Sequence, residues 1–161
     1  MQKIIIRVVL DYQQEDVVRD LAVVPGVRLS LLHTAILRAF DLPEGEMAAF
    51  YHTNESWQAG QEIPLLEMDE QTDDMNQYAT QDLLSQKGDR LLYVYDFLHM
   101  WTFFLEVQDQ REEEDQVAIK LVGKQGERPA EPPAASYEAE DGEDPLDDLD
   151  ELLDWDEDQE N

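Results

Sequence analysis

Ile4, Ile5, Ile6, Val8, Val9 and Leu10 form an apolar run broken by Arg7. A β-branched run of that continuity predicts a strand buried on much of both faces. Residues 11–16 are polar and turn-like. Val17, Val18, Leu21, Val23 and Val24 then resume an apolar pattern that stops at Pro25 and Gly26, a turn signal. The two runs read as a hairpin, with a short helix over 15–21 as the alternative. Leu31, Leu32, Ala35, Ile36, Ala39 and Phe40 follow at helical spacing. Ser30 stands before them as the expected N-cap, and the helix ends near Asp41, Leu42 and Pro43.

Residues 47–52, with Ala48, Ala49, Phe50 and Tyr51, predict a short aromatic strand, and 54–60 a loop pinned by Trp57. An acidic, irregular stretch covers 67–78. Thr80 then caps an expected short helix over 81–86, closed by Lys87, Gly88 and Asp89. Leu91, Leu92, Tyr93, Val94, Tyr95 and Phe97 predict a strand, and 101–107 its antiparallel neighbour across a tight connection at 98–100. After a charged turn at 109–115, Val117, Ile119 and Leu121 alternate with Ala118 and Lys120, the period of a half-exposed last strand. The order β-β-α-β-α-β-β-β predicts an α+β domain over 1–126. It is a mostly antiparallel sheet with one long and one short helix packed on one face.

Charge adds a second region. The chain has 161 residues, 39 acidic and 11 basic, for a formal net charge of -28. Residues 127–161 hold 16 of the acids and one base. The stretch 127–145, with Pro129, Pro132, Pro133 and Pro145, buries too little apolar surface to offset the entropy of ordering it, and reads as a disordered acidic linker. Such a balance argues against direct contact with nucleic acid or anionic lipid. The chain lacks cysteine, which removes disulfides and thiolate chemistry. No apolar run is long enough for a membrane span and no signal-peptide pattern opens the chain, so a cytoplasmic protein is expected.

Leu32 and His33 in the helix, Phe40 at its end, the aromatic pair Phe50 and Tyr51, and above all Tyr93-Val94-Tyr95-Asp96-Phe97 with Trp101 four residues on, resemble the plasmid pRiA4b Orf3-like family over about residues 1–126. The resemblance implies a plasmid or insertion-element context, and no reaction. The family pattern has Gly-Asp after Tyr-Asp-Phe and a His two residues after the Trp. This chain has Leu98-His99 and Phe103 there.

Candidate chemistry is sparse. His33, His52 and His99 are the imidazoles of the chain, and His33, Asp96 and His99 are the weak candidates for a metal site or a hydrolase. Their bland readings are a hydrogen-bonded helix histidine and an aspartate accepting hydrogen bonds from the turn at 98–100. Asp154, Asp156 and Asp158 alternate like the start of an EF-hand, but Gln159 replaces its glycine and the twelfth ligand is missing. No nucleophile elbow, phosphate loop or cofactor signature is present. The tail holds one pattern: Leu146, Leu149, Leu152, Leu153 and Trp155 at helical spacing among acids. That segment is the expected partner-binding element, its acids steering it to a basic rim on another protein or onto the chain's own body. The expected function is therefore protein interaction without catalysis. The alternatives are the hydrolase or metal-dependent activity and an acidic mimic of nucleic acid that occupies a DNA-binding protein.

Overall fold

A computed structural model describes residues 1–66 and 73–133. Among them are seven strands and one α-helix: β1 Gln2–Leu10, β2 Val18–Val23, α1 Leu29–Ala39, β3 Ala48–His52, β4 Glu62–Pro64, β5 Arg90–Tyr95, β6 Trp101–Glu112 and β7 Ile119–Gln125. The strands form one sheet in the order β4-β3-β5-β6-β1-β2-β7, each neighbour antiparallel. The β1–β2 hairpin and the β5–β6 pair stand as their apolar patterns predict. β6 runs on to Glu112, so the charged turn begins later than composition places it. β4 carries no sequence signal, because three residues ending in proline are too few to show a period.

α1 packs on one face of the sheet, and its buried side chains Leu29, Leu32, Ile36 and Leu37 join Ile4, Ile6, Val8, Phe50, Tyr93 and Phe103 in the main core. Ser30 is not its N-cap. An isolated bridge from Arg28 to Ala79 holds Arg28 extended, and the Arg28 carbonyl takes the first helical hydrogen bonds, from Leu31 and Leu32 N–H, so the helix starts at Leu29. At the other end Leu42 N–H donates to Leu37 O and Asp41 N–H to Arg38 O, with Asp41 left-handed at φ 59°. This is a Schellman closure with aspartate in the place glycine usually takes.

The short second helix expected over 81–86 is absent. Single 3-10 turns stand at Met75–Gln77 and Thr80–Asp82 instead. The Asp89 carboxylate accepts the Ser85 and Gln86 N–H groups, at 3.0 and 2.9 Å, and so takes the donors that a continuing helix needs for its own carbonyls.

Two arginines finish the C-terminal end of α1. Arg19 of β2 reaches Ala39 O at 2.9 Å with its guanidinium 4.9 Å from the Phe40 ring centre. Arg128 donates to Phe40 O at 2.7 Å and to Asp41 O at 2.9 Å, and lies over Trp101. Cations at helix C-terminal carbonyls are favoured by the helix dipole. The chain leaving β7 is thereby tied down at Arg128.

Gly126 makes that exit possible. It has φ +80°, and a Cβ there would stand 2.1 Å from Asp16 O, whereas a Cβ at Gly26 would meet nothing within 4 Å. We predict that Gly126→Ala destabilises the chain by about 2 kcal/mol or more while Gly26→Ala stays within about 0.5 kcal/mol. Urea denaturation checks the contrast, and equal losses would contradict it.

Candidate functional site

Alternation along β1 sends Ile4, Ile6, Val8 and Leu10 toward α1 and leaves Lys3, Ile5, Arg7 and Val9 on the opposite face. Strand register orders that second face into rows. Tyr51 stands opposite Leu92, Leu92 opposite Phe104, Phe104 opposite Val9, and Val9 opposite Val18. The result is one apolar row across five strands. Trp57 plugs it, edge-on to Phe104 at 5.0 Å between ring centres. Trp57 sits at φ 61°, a costly conformation for a bulky residue. Asn54 holds it there, its side chain accepting from Ser56 and Gln58 N–H and its carbonyl from Trp57 N–H.

Two residues along each strand the face turns ionic. Arg90 stands opposite Glu106, Glu106 opposite Arg7, and Arg7 opposite Asp20, an alternation of plus and minus across four strands. Arg90 Nε donates to Glu106 Oε2 at 2.9 Å, and Arg7 Nε to Asp20 Oδ1 at 3.2 Å. Arg7 and Asp20 are only 3% and 5% exposed. The guanidinium of Arg90 also lies 4.6 Å from the Trp57 ring centre, which couples the ionic row to the apolar one. At the far end of β1, Lys3 donates to Asp115 at 2.5 Å. Asp115 accepts from Lys120 as well, and these bonds hold its carboxyl well below the usual range.

The histidines part company. Nδ1 of His33 is 2.6 Å from the Tyr93 hydroxyl, inside an aromatic group with Phe50 and Phe103. Burial pushes the Tyr93 phenol well above its ordinary value and the His33 imidazole below its own, the latter against the pull of Glu44. The two groups share one hydrogen bond, and burial disfavours the charged form of each. Asp96 leaves the β5 ladder at φ 65°, accepts from Leu98 N–H at 3.2 Å, and pairs with Nδ1 of exposed His99 at 2.7 Å. So the structure joins Asp96 to His99 and gives His33 to Tyr93. His52 borders a polar cavity of about 330 Å³ with Asn54, Asp89 and Arg90. Among the described residues no group of three His, Cys, Asp or Glu side chains is placed to hold a metal ion. No described helix is long and apolar enough to cross a membrane.

A third surface lies at the sheet edge. α1 and β7 flank a groove of about 380 Å³ lined by Leu21, Ala35, Arg38 and Ile119, with Leu31, Val117 and Leu121 about half exposed along it. β7 ends the strand order, so its outer backbone edge faces no strand among the described residues. Neither the groove nor the ionic row is visible in the sequence, because both depend on register between distant strands. Arg7 is the one advance signal, a charge inside an otherwise apolar run. Leu146, Leu149, Leu152, Leu153 and Trp155 lie outside the described residues.

A family model, described as plasmid pRiA4b ORF-3-like protein, matches residues 2–158. The chain belongs to this family. The match extends past the body, where the residues of the resemblance stop, into the acidic region. Among solved structures, the protein of unknown function MM3350 from Methanosarcina mazei Go1 is similar at 16% identity, covering 97% of this chain and 83% of its own, with a TM-score of 0.61. That likeness is one of fold. No curated protein matches significantly.

Because folding lowers the His33 pKa, the unfolded chain takes up a proton first as pH falls below about 6.5, and stability drops over that interval. Imidazole titration by NMR should give a folded pKa below about 6.5 for His33, and His33→Gln should flatten the pH dependence of unfolding. A folded value at or above that of a free imidazole would contradict this. For the ionic row, Arg7→Met leaves the Asp20 carboxylate sealed without its guanidinium and should cost about 3–5 kcal/mol, while adding Asp20→Leu should restore most of it. Urea denaturation of the two variants tests the coupling, and equal stability of single and double variant would refute it.

Proposed function

We propose that this member of the family is a protein-interaction protein that works without catalysis. The carrying observation is the groove between α1 and β7, where Leu31, Val117 and Leu121 stand exposed beside a strand edge that faces no strand among the described residues. Apolar side chains beside the outer edge of a sheet are what an added strand uses: the edge supplies hydrogen bonds and the groove takes alternate side chains. The net charge of -28 sets the partner's chemistry, since it attracts a basic protein and repels an acidic one over several ångströms. The occupant is thus an extended apolar segment carried by a basic partner. The acidic segment with Leu146, Leu149, Leu152, Leu153 and Trp155 acts as a second contact element in the same reading, its leucines and tryptophan as anchors.

Selection of displayed peptides on the immobilised full chain tests this. The expected winners alternate apolar residues between lysines or arginines, and Leu121→Glu abolishes their binding. Winners rich in lysine and arginine without apolar anchors, bound equally by Leu121→Glu, would overturn the proposal in favour of charge mimicry.

A further inference from the structure

Among the described residues that line the groove between α1 and β7, Arg38 alone carries a charge. Its side chain is exposed and, among the described residues, has no hydrogen bond or ion pair. Two more arginines stand at the same end of α1, with Arg19 donating to Ala39 O and Arg128 to Phe40 O and Asp41 O. Their donors are on carbonyl oxygens, and that of Arg38 points to no described acceptor. The end of α1 is thus a positive spot on a chain of net charge -28, the place on this groove where an incoming anion is attracted rather than repelled.

Helix and strand share a direction here. Arg19 also donates to Gln125 O at 3.0 Å, so the C-terminal ends of α1 and β7 lie together and Arg38 stands at that end of the groove. Val24 N–H donates to Ala118 O at 2.9 Å. By alternation Ala118 and Lys120 bond β2, while Ile119 and Leu121, which line the groove, turn their N–H and C=O groups to the outer edge.

A ligand that uses the whole groove therefore needs an extended backbone beside Ile119 and Leu121, apolar side chains, and an anion in line with them at Arg38. The C-terminus of a polypeptide has all three. Its α-carboxylate accepts two parallel N–H bonds from a guanidinium, where an internal segment offers only a neutral peptide group. We infer that the groove takes the C-terminal end of its partner, about four residues extended parallel to β7 at about 3.3 Å each, with the terminal carboxylate on Arg38. This rests on the strand-addition reading above and adds which part of the basic partner enters and in which direction.

Two synthetic peptide libraries test it on the full chain. Both carry lysines followed by four random apolar residues, one ending in a free carboxylate and the other in a carboxamide. The free-carboxylate peptides should bind about tenfold more tightly than their carboxamides. Arg38→Gln should remove that advantage and leave carboxamide binding unchanged, and Arg38→Lys should keep part of it. A nitroxide at the amino end of a bound peptide should broaden the Ala118 amide more than that of Gln125. Equal binding of the two libraries, an advantage that survives Arg38→Gln, or stronger broadening at Gln125 would each overturn the C-terminal assignment while strand addition stands. Binding of neither library overturns both, and Arg38-dependent binding of decanoate in that case assigns the groove to a lipid carboxylate.

Discussion

Arg7 and Asp20, side by side on adjacent strands and almost closed to water, impose the constraint on which the sheet depends. Burying either charge alone costs several kcal/mol, and that cost is offset only when the partner stands at bonding distance. The pair is therefore tied to register. A slip of one residue between β1 and β2 would turn Arg7 toward α1 and into the apolar core, where no carboxylate waits among the described residues. Glu106 and Arg90 extend the same condition to β6 and β5, so four strands share one alignment. The aromatic plug is fastened to it through the contact of Arg90 with Trp57.

The other face follows ordinary core logic, with one polar node. Tyr93 and His33 share a hydrogen bond between two phenylalanines, which gives each buried polar group a partner. Such a histidine serves packing. The Asp96 and His99 pair is exposed in a turn whose left-handed residues, Asp96 and Met100, bring the chain back into β6. Neither arrangement gathers an acid, a base and a nucleophile around one cavity. The extended surface feature among the described residues is the groove between α1 and β7 at the sheet edge.

Much of this fold was legible in the sequence, and the gaps have physical causes. The runs that became β1 and β5 and the helical spacing of Leu32, Ile36 and Phe40 report burial directly, and the alternation at Ile119 and Leu121 marks the half-exposed β7. What local pattern missed was decided by remote hydrogen bonds. Asp89 stopped the helix that the residues after Thr80 favour, and the Arg28–Ala79 bridge moved the start of α1 ahead of Ser30. The ionic row was invisible for the same reason: Arg7, Asp20, Arg90 and Glu106 meet only after four strands take their register. Membership of the plasmid pRiA4b ORF-3-like family was legible from the aromatic strand and Trp101. Family membership leaves function to be argued from these surfaces.

Paired charge on β5, β6, β1 and β2 aligns the sheet and closes its second face. Proton exchange of the arginine side chains with water, followed by NMR on the intact protein, measures this directly. The Nε–H of Arg7 and of Arg90 should exchange far more slowly than that of Arg38 on the surface of α1, and added salt should leave the difference in place. Exchange at Arg7 as fast as at Arg38, or slowed exchange that salt abolishes, would contradict it.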